Sequence, residues 1–251
     1  MTRIKPRIVA SIEARMGSSR LPGKVLMDIG GKPALHRLIQ RLRKCKTLDE
    51  IVVATSKSAT DNELEEWCKC NKIKCYRGSE EDVLDRVVQA HESVGSDLIV
   101  EITGDCPLTD PNIVDLGVET FLKNNTDVVT NCGSVLTWPM GQYVQVFPFR
   151  LLQQLNQSTT DPVVREHVSL FFYENPEIYK TINLIAPNQW RYPSWRLQLD
   201  YPEDLKFQNE IHLKLAPDFG DCFGIEETVA VLNKFPNLLK INSRCAEKSC
   251  R

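Results

Sequence analysis

The sequence predicts an α/β fold in which a mainly parallel, mixed sheet is covered by helices on both faces. Three observations predict it. Through the first half of the 251 residues, short apolar runs of strand length alternate with longer runs of helical periodicity. The connections between them are short, and a β-α rhythm of this kind lays successive strands parallel beneath helical crossovers. Polar turns, several bearing glycine, directly follow strand-like runs, the position where ligands gather in an open α/β sheet.

The elements follow in order. Residues 8–12 are the first strand. Over 33–45, Leu35, Leu38, Ile39 and Leu42 repeat on one helical face, and His36, Arg37, Arg41, Arg43 and Lys44 mostly take the other. A strand at 51–55 precedes a helix over 61–71, which Asp61 can start and whose apolar stripe is Leu64, Trp67 and Cys68. After a short strand at 73–76, a helix over 79–94 opens with Ser79, Glu80, Glu81 and Asp82, a capping-box spacing with Asp in place of Glu. A strand at 97–102 runs into a polar turn, and Pro111 stands near the start of a helix over 111–123. Beyond Asp127 the rhythm changes. Strands are expected at 127–130, 142–147 and 179–184, helices at 148–156, 163–175, 201–215 and 225–235, and 195–199 alternates as a strand does. The change fits an inserted hairpin or arm at about 131–191. No Pro/Gly/Ser-rich linker divides the chain, so 1–251 reads as a single domain, with a polar tail at 243–251 expected to fray.

The totals exclude several classes. Lys plus Arg is 31 and Asp plus Glu is 33, which gives no electrostatic argument for a nucleic acid or an anionic membrane surface. The longest apolar runs are far too short to span a bilayer. The basic N-terminus (Arg3, Lys5, Arg7) is followed by an apolar run that Glu13 and Arg15 interrupt, unlike a signal peptide, and a cytoplasmic location is expected. Nine cysteines at irregular spacing read as free thiols. Cys68, Cys70 and Cys75 are close together but lack a fourth ligand and a paired C-x-x-C, so a zinc site is not expected.

Four polar clusters carry the candidate chemistry. The first is the loop after the opening strand, with Gly17, Ser18, Ser19 and Gly23 interleaved with Arg15, Arg20 and Lys24. Small residues let backbone N–H groups approach anionic oxygens and the cations neutralise charge, so this loop is suited to a polyphosphate. Its glycine spacing is neither that of a Walker A loop nor that of a Rossmann fingerprint. The second is the turn at 103–107, where Asp105 follows a glycine and can take Mg²⁺ or serve as a helix cap. The third is 199–204: capping alone would explain Asp200, Pro202 and Glu203, but beside Asp105 and a triphosphate loop, two carboxylates sharing one metal is the better reading. The fourth is Arg77, Gly78 and Ser79, which combine a guanidinium, a hydroxyl and backbone donors able to read the polar edge of a base or sugar. Ser18 and Ser19 lack the G-x-S-x-G spacing of a nucleophile elbow. His167 can touch a substrate or a partner subunit or play a structural part, and Trp138, Trp190 and Trp195 read as core or interface.

These residues resemble a known family. The run from Ala14 to Lys24 is similar to the signature loop of the CMP-sugar synthetases, in particular the spore-coat-polysaccharide SpsF-like cytidylyltransferases, relatives of CMP-Kdo synthetase. The match continues in order through 30–33, 77–86, 103–108, Asp161 and Pro162 with Arg165 to His167, and 200–205, covering nearly the whole chain. The resemblance implies a GT-A-like nucleotidyltransferase fold, Mg²⁺ as cofactor, CTP and a small anionic acceptor as substrates, and a homodimer. It implies attack of an acceptor oxygen on the α-phosphorus, with loss of pyrophosphate. It implies nucleotide contacts from Ala14, Arg15, Ser18, Arg20, Lys24, Arg77, Ser79 and Thr103, catalysis by Arg15, Lys24, Asp105 and Asp200, and metal ligation by the last two. Such a transfer needs positioning and charge neutralisation more than a protein nucleophile. The chain departs from the pattern where an acceptor would lie. Glu101 stands where relatives usually carry Arg, and Met140, Tyr143 and Gln145 stand where they usually carry acids. The acceptor contacts are therefore expected from Glu101, Tyr143, Gln145, Arg165 and His167. Two other classes compete: a GT-A glycosyltransferase, against which the Gly104 and Cys106 neighbours of Asp105 speak, and a non-catalytic nucleotide binder, against which Lys24, Asp105 and Asp200 together speak.

Overall fold

The computed structural model describes residues 5–133, 135–221 and 223–246. Arg3, Cys222, Cys250 and the tail beyond Ala246 lie outside them. Strand β1 (Ile8–Glu13) is the centre of the sheet. Its near-continuous apolar run marks a strand buried on both faces. Period-two alternation divides it: Ile8, Ala10 and Ile12 enter one core and Val9 enters the other.

A hairpin of β2 (Asp28–Ile29) and β3 (Lys32–Pro33) follows the opening loop and leads into helix α1 (Ala34–Leu42). Strands β4 (Glu50–Ser56) and β6 (Leu98–Thr103) flank β1 in parallel, and β5 (Lys74–Gly78) pairs with β4. Helix α2 (Asn62–Cys70) links β4 to β5, and α3 (Val83–Val94) links β5 to β6. After α4 (Pro111–Lys123) come β7 (Val128–Thr130), β8 (Gln145–Pro148) and β9 (Thr181–Asn183). The seven-stranded order is β5-β4-β1-β6-β8-β7-β9, with β8 antiparallel to both neighbours. The mixed, mainly parallel sheet agrees with the sequence reading. The 131–191 segment contributes β8 to the interior of this sheet and β9 to its end, so those strands belong to the body rather than to an arm.

One face packs on α1, α4, α8 (Pro202–Phe219) and α9 (Ile225–Lys234), with Leu35, Leu38, Val114, Phe207 and Leu232 in the core. The other packs on α3 and α5 (Phe149–Ser158), through Leu84, Val87, Leu151 and Leu155. Trp138 is buried, its indole N–H donating to the Leu184 carbonyl at 2.8 Å, in keeping with a core role. Among the described residues no helix is long and apolar enough to cross a membrane.

Four local expectations are corrected. Helix α3 begins at Val83, because Asp82 caps it by accepting from Asp85 N at 3.0 Å, while the Ser79 hydroxyl takes Asp82 N in the preceding turn. Asp61 does not cap α2; its carboxylate is drawn into the opening loop instead. The helix expected over 163–175 is broken into α6 (Pro162–Glu166) and α7 (Leu170–Glu174), with His167 out of helical conformation between them. The segment 195–199 forms no strand; a single bridge, Met140 to Arg196, is its only ladder contact among the described residues. Its polar side chains are committed to the site below.

Candidate active site

The opening loop is tied down from beneath. Asp61, 1% exposed, accepts from Met16 N at 2.7 Å, from the Thr55 hydroxyl at 3.0 Å and from Ser56 N at 3.0 Å. Burial opposes its charge, but hydrogen bonds from Ser56, Met16 and Thr55 prevail and hold the carboxyl below its ordinary value. The loop closes on itself through Gly23 N to Met16 O at 2.9 Å. Gly23 has φ 74, the left-handed region that glycine enters without strain, and from there the chain turns into a short 3₁₀ segment, Lys24–Leu26. That turn carries Lys24 back over the end of the sheet.

Lys24 Nζ donates to Asp105 Oδ2 at 2.9 Å and to Asp200 Oδ1 at 2.7 Å. Arg20 reaches the same Asp200 oxygen at 2.8 Å, and Arg196 pairs with Asp200 Oδ2 at 2.7 Å. The Gln198 amide bridges the two acids, 3.0 Å from Asp200 and 3.3 Å from Asp105. The backbones are joined as well, Leu199 N to Asp105 O at 2.8 Å. Asp105 is brought up by Gly104, whose N–H donates to the Glu13 carbonyl at 2.9 Å. A Cβ there would stand 2.8 Å from that oxygen, so the approach of the two strand ends requires glycine.

Neither acid is spent on capping. Asp110 caps α4, accepting from Asn112 N at 2.7 Å. Asp204 accepts the backbone N–H groups of Asp200 and Tyr201 at 2.9 and 3.0 Å at the start of α8. Asp105 and Asp200 are thus free of the helical duty that the sequence left open for both. Burial disfavours each charge at the centre, yet the ammonium holds Asp105 below the usual carboxylate range, and the two acids hold Lys24 above the usual lysine value. The carboxylates share an ammonium and an amide, so one cation can span them. An all-oxygen pair of carboxylates fits Mg²⁺ in its donor chemistry.

The other expected residues divide. Ala14 is buried at the root of the loop, Arg15 is half-buried in it, and the Ser18 hydroxyl accepts from Leu21 N at 3.4 Å. Thr103 lies exposed at the end of β6, its hydroxyl 3.2 Å from Cys106 Sγ. The Arg77 guanidinium is committed elsewhere, to the Ser56 and Ser58 carbonyls at 2.8 and 2.7 Å and to Asn62 and Glu65 at 2.7 Å. Arg165 likewise clasps Asp82 at 2.6 Å and Asn156 at 2.7 Å, joining α6 to the start of α3 and the end of α5. Glu101 is buried on β6, opposite Gln145 on β8. Gln145 donates to the Ser169 hydroxyl at 3.0 Å, and burial, against hydrogen bonds from Ser169, raises the Glu101 carboxyl to about 7. Tyr143 and His167 are half-buried.

The sequence reading missed Arg196 and Gln198, which orient the acids, Glu13, which lies beside Glu101, and Arg86, which attracts Glu13. The alternation at 195–199 was the available signal: Arg196, Gln198 and Asp200 sit two residues apart and converge on one site.

The fold and the basic loop over paired acids define a nucleotidyltransferase. The model of the cytidylyltransferase family matches residues 9–233. The chain is 37% identical over 247 residues to an uncharacterised protein of Methanocaldococcus jannaschii, covering 98% of each. It is 34% identical over 237 residues to the spore coat polysaccharide biosynthesis protein SpsF of Bacillus subtilis, covering 92% of this chain and 95% of that one. The solved structure of a cytidylyltransferase from Leptospira borgpetersenii matches with a TM-score of 0.87 at 30% identity, over 98% of this chain and 100% of that one. The chain belongs to the cytidylyltransferase family, alongside SpsF.

Proposed function

We propose that the protein transfers CMP from CTP to a small anionic acceptor, an acidic sugar or a phosphorylated small molecule, releasing pyrophosphate with Mg²⁺ as cofactor. The observation that carries this reading is Lys24 held between Asp105 and Asp200 under the 14–24 loop.

The loop takes the triphosphate, with backbone N–H groups and Arg15 and Arg20 neutralising its oxygens. An ammonium has three donors and Lys24 commits two to the acids, which leaves one for a phosphate oxygen. Asp105 and Asp200 would hold Mg²⁺, which when bound supplies positive charge for the phosphates. Arg196 and Gln198 keep the two carboxylates oriented, as outer partners of metal ligands do. Ser79, exposed just after β5, would meet the cytosine edge, whereas the Arg77 side chain supports the loop that carries it. An acceptor whose attacking oxygen is already an anion needs no strong general base. It forms its bond to the α-phosphorus as the bridging P–O bond to pyrophosphate breaks. The resemblance to CMP-sugar synthetases supports a homodimer, and the free thiols of the described cysteines support a cytoplasmic setting.

The test is a pyrophosphate assay with each NTP, Mg²⁺ and a panel of acidic sugars and phosphorylated compounds. The expected result is release specific to CTP that disappears in Asp105→Ala. Binding of a nucleotide sugar with no binding of any NTP would overturn the reading in favour of a glycosyltransferase.

A further inference from the structure

The sheet face beneath α3 and α5 changes character along its strands. In one row across three strands, Val9, Ile99 and Phe147 are paired and apolar. In the next row toward the loop, Ser11, Glu101 and Gln145 are paired. Glu13 ends β1 one row further on, opposite Thr103, and faces the same side. Two carboxylates therefore stand on one face of neighbouring strands, just before the turns that carry Arg15 and Asp105.

Their surroundings leave them short of positive charge. Among the described residues neither Glu13 nor Glu101 forms an ion pair. Glu13 has the Ser11 hydroxyl at 3.4 Å. Glu101 is 4% exposed, and its Oε2 is buried with no hydrogen-bond partner. The nearby cation is Arg86 of α3, 2% exposed, whose guanidinium donates to the Ser79 carbonyl at 2.6 Å and attracts Glu13 without bonding to it. A buried carboxylate oxygen with nothing to accept from is costly unless a donor arrives. The nucleotide side of the site is arranged oppositely: Arg20 and Lys24 pair with Asp200, and Lys24 with Asp105 as well.

We propose that Glu13 and Glu101 form a cation-recognising subsite, and that the acceptor carries a protonated amine in addition to its attacking oxygen. This rests on the cytidylyl-transfer reading and narrows its substrate class to zwitterionic acceptors. The ammonium donates to Glu13 and to the open oxygen of Glu101, while Gln145 pairs opposite Glu101 and reaches the Ser169 hydroxyl. Two carboxylates also keep the nitrogen protonated and without a lone pair. The oxygen is then the nucleophile: the new O–P bond forms at the α-phosphorus, the bridging P–O bond breaks, pyrophosphate leaves, and the amine passes unchanged into the product.

The experiment uses matched probes with the CTP- and Mg²⁺-loaded enzyme: phosphoethanolamine against ethyl phosphate, glucosamine 6-phosphate against glucose 6-phosphate and N-acetylglucosamine 6-phosphate, and an amino-substituted 3-deoxy-octulosonic acid against its hydroxyl parent. Binding is read by ligand-observed NMR and turnover by pyrophosphate release. The expected result is at least a tenfold preference for the amine in one or more pairs, lost in Glu101→Gln and in Glu13→Gln with CTP affinity retained. Glu13 is half-buried, so Glu13→Gln carries the test if a melt shows Glu101→Gln to be unfolded. Absence of an amine preference in every pair, or a preference that survives both substitutions, would overturn the proposal. Failure of the wild type to bind CTP in the same titrations would instead strike at the nucleotidyl-transfer reading.

Discussion

Asp105 and Glu101 are both carboxylates packed into the site, yet pH acts on them in opposite directions. Lys24 neutralises Asp105 and Asp200 together, and Lys24→Met would leave those acids facing each other. The expected loss in kcat/KM for CTP is about 10²–10³, as for removal of one preorganised charge from an active site, measured by initial rates. The Asp105 carboxyl is held low in the folded state, so the pair's contribution is present above the unfolded value of 3.8 and is lost as pH falls through the lower folded one. The raised Lys24 sets the alkaline limit: the contribution is full below 10.5 and disappears as pH rises through the folded value. Urea melts are expected to show the full wild-type advantage over Lys24→Met at neutral pH and a shrinking one in acid. Glu101 has the reverse sign. Its carboxyl is raised from 4.5 to about 7, so stability is lost as pH rises through that range. Glu101→Gln is expected to be more stable than the wild type at pH ~8 by a few kcal/mol, the gain vanishing near pH ~4, as read by denaturant melts.

At the scale of elements, the site depends on two joints. Asp61 joins the opening loop to the end of β4 through four hydrogen bonds. Asp61→Ala strands those donors, and the expected cost is about 2–4 kcal/mol, together with a KM for CTP that rises more than kcat falls. Calorimetric melts and steady-state kinetics check the two parts separately. Asp204 joins α8 to the carboxylate turn and pairs with Arg196 at 3.0 Å in a buried setting. Asp204→Ala leaves that guanidinium with Asp200 as its remaining carboxylate and strands the N–H groups of Asp200 and Tyr201, with an expected loss of about 3–5 kcal/mol. Sequence signals placed some joints and misplaced others. Pro111 marked the start of α4 because a proline in the first turn is local chemistry; Asp110, which caps it, was not read. The break between α6 and α7 carried no such signal. Ser169 turns inward to Gln145 and Glu101, and that contact overrides the helical propensity of 163–175.

For the whole molecule, the sheet is a frame that brings three distant turns to one end of β1 and its neighbours. Ligands should therefore act on global stability. CTP with Mg²⁺ is expected to raise the Tm more than CTP with EDTA, and Asp105→Ala should abolish the Mg²⁺-dependent part, as followed by thermal scanning. The amino-acid sequence by itself determined the strand–loop rhythm, the basic glycine-containing loop and the two acids at Asp105 and Asp200, since periodicity, glycine spacing and charge are all short-range properties of a chain. Tertiary structure decided which acids cap helices and which face Lys24, why Arg77 and Arg165 support loops, and that Glu13 meets Glu101. The physical reason is register. Glu13 and Glu101 come together because β1 and β6 pair in one alignment, and Lys24 meets Asp200 because packing closes a long loop; neither is written in any local pattern.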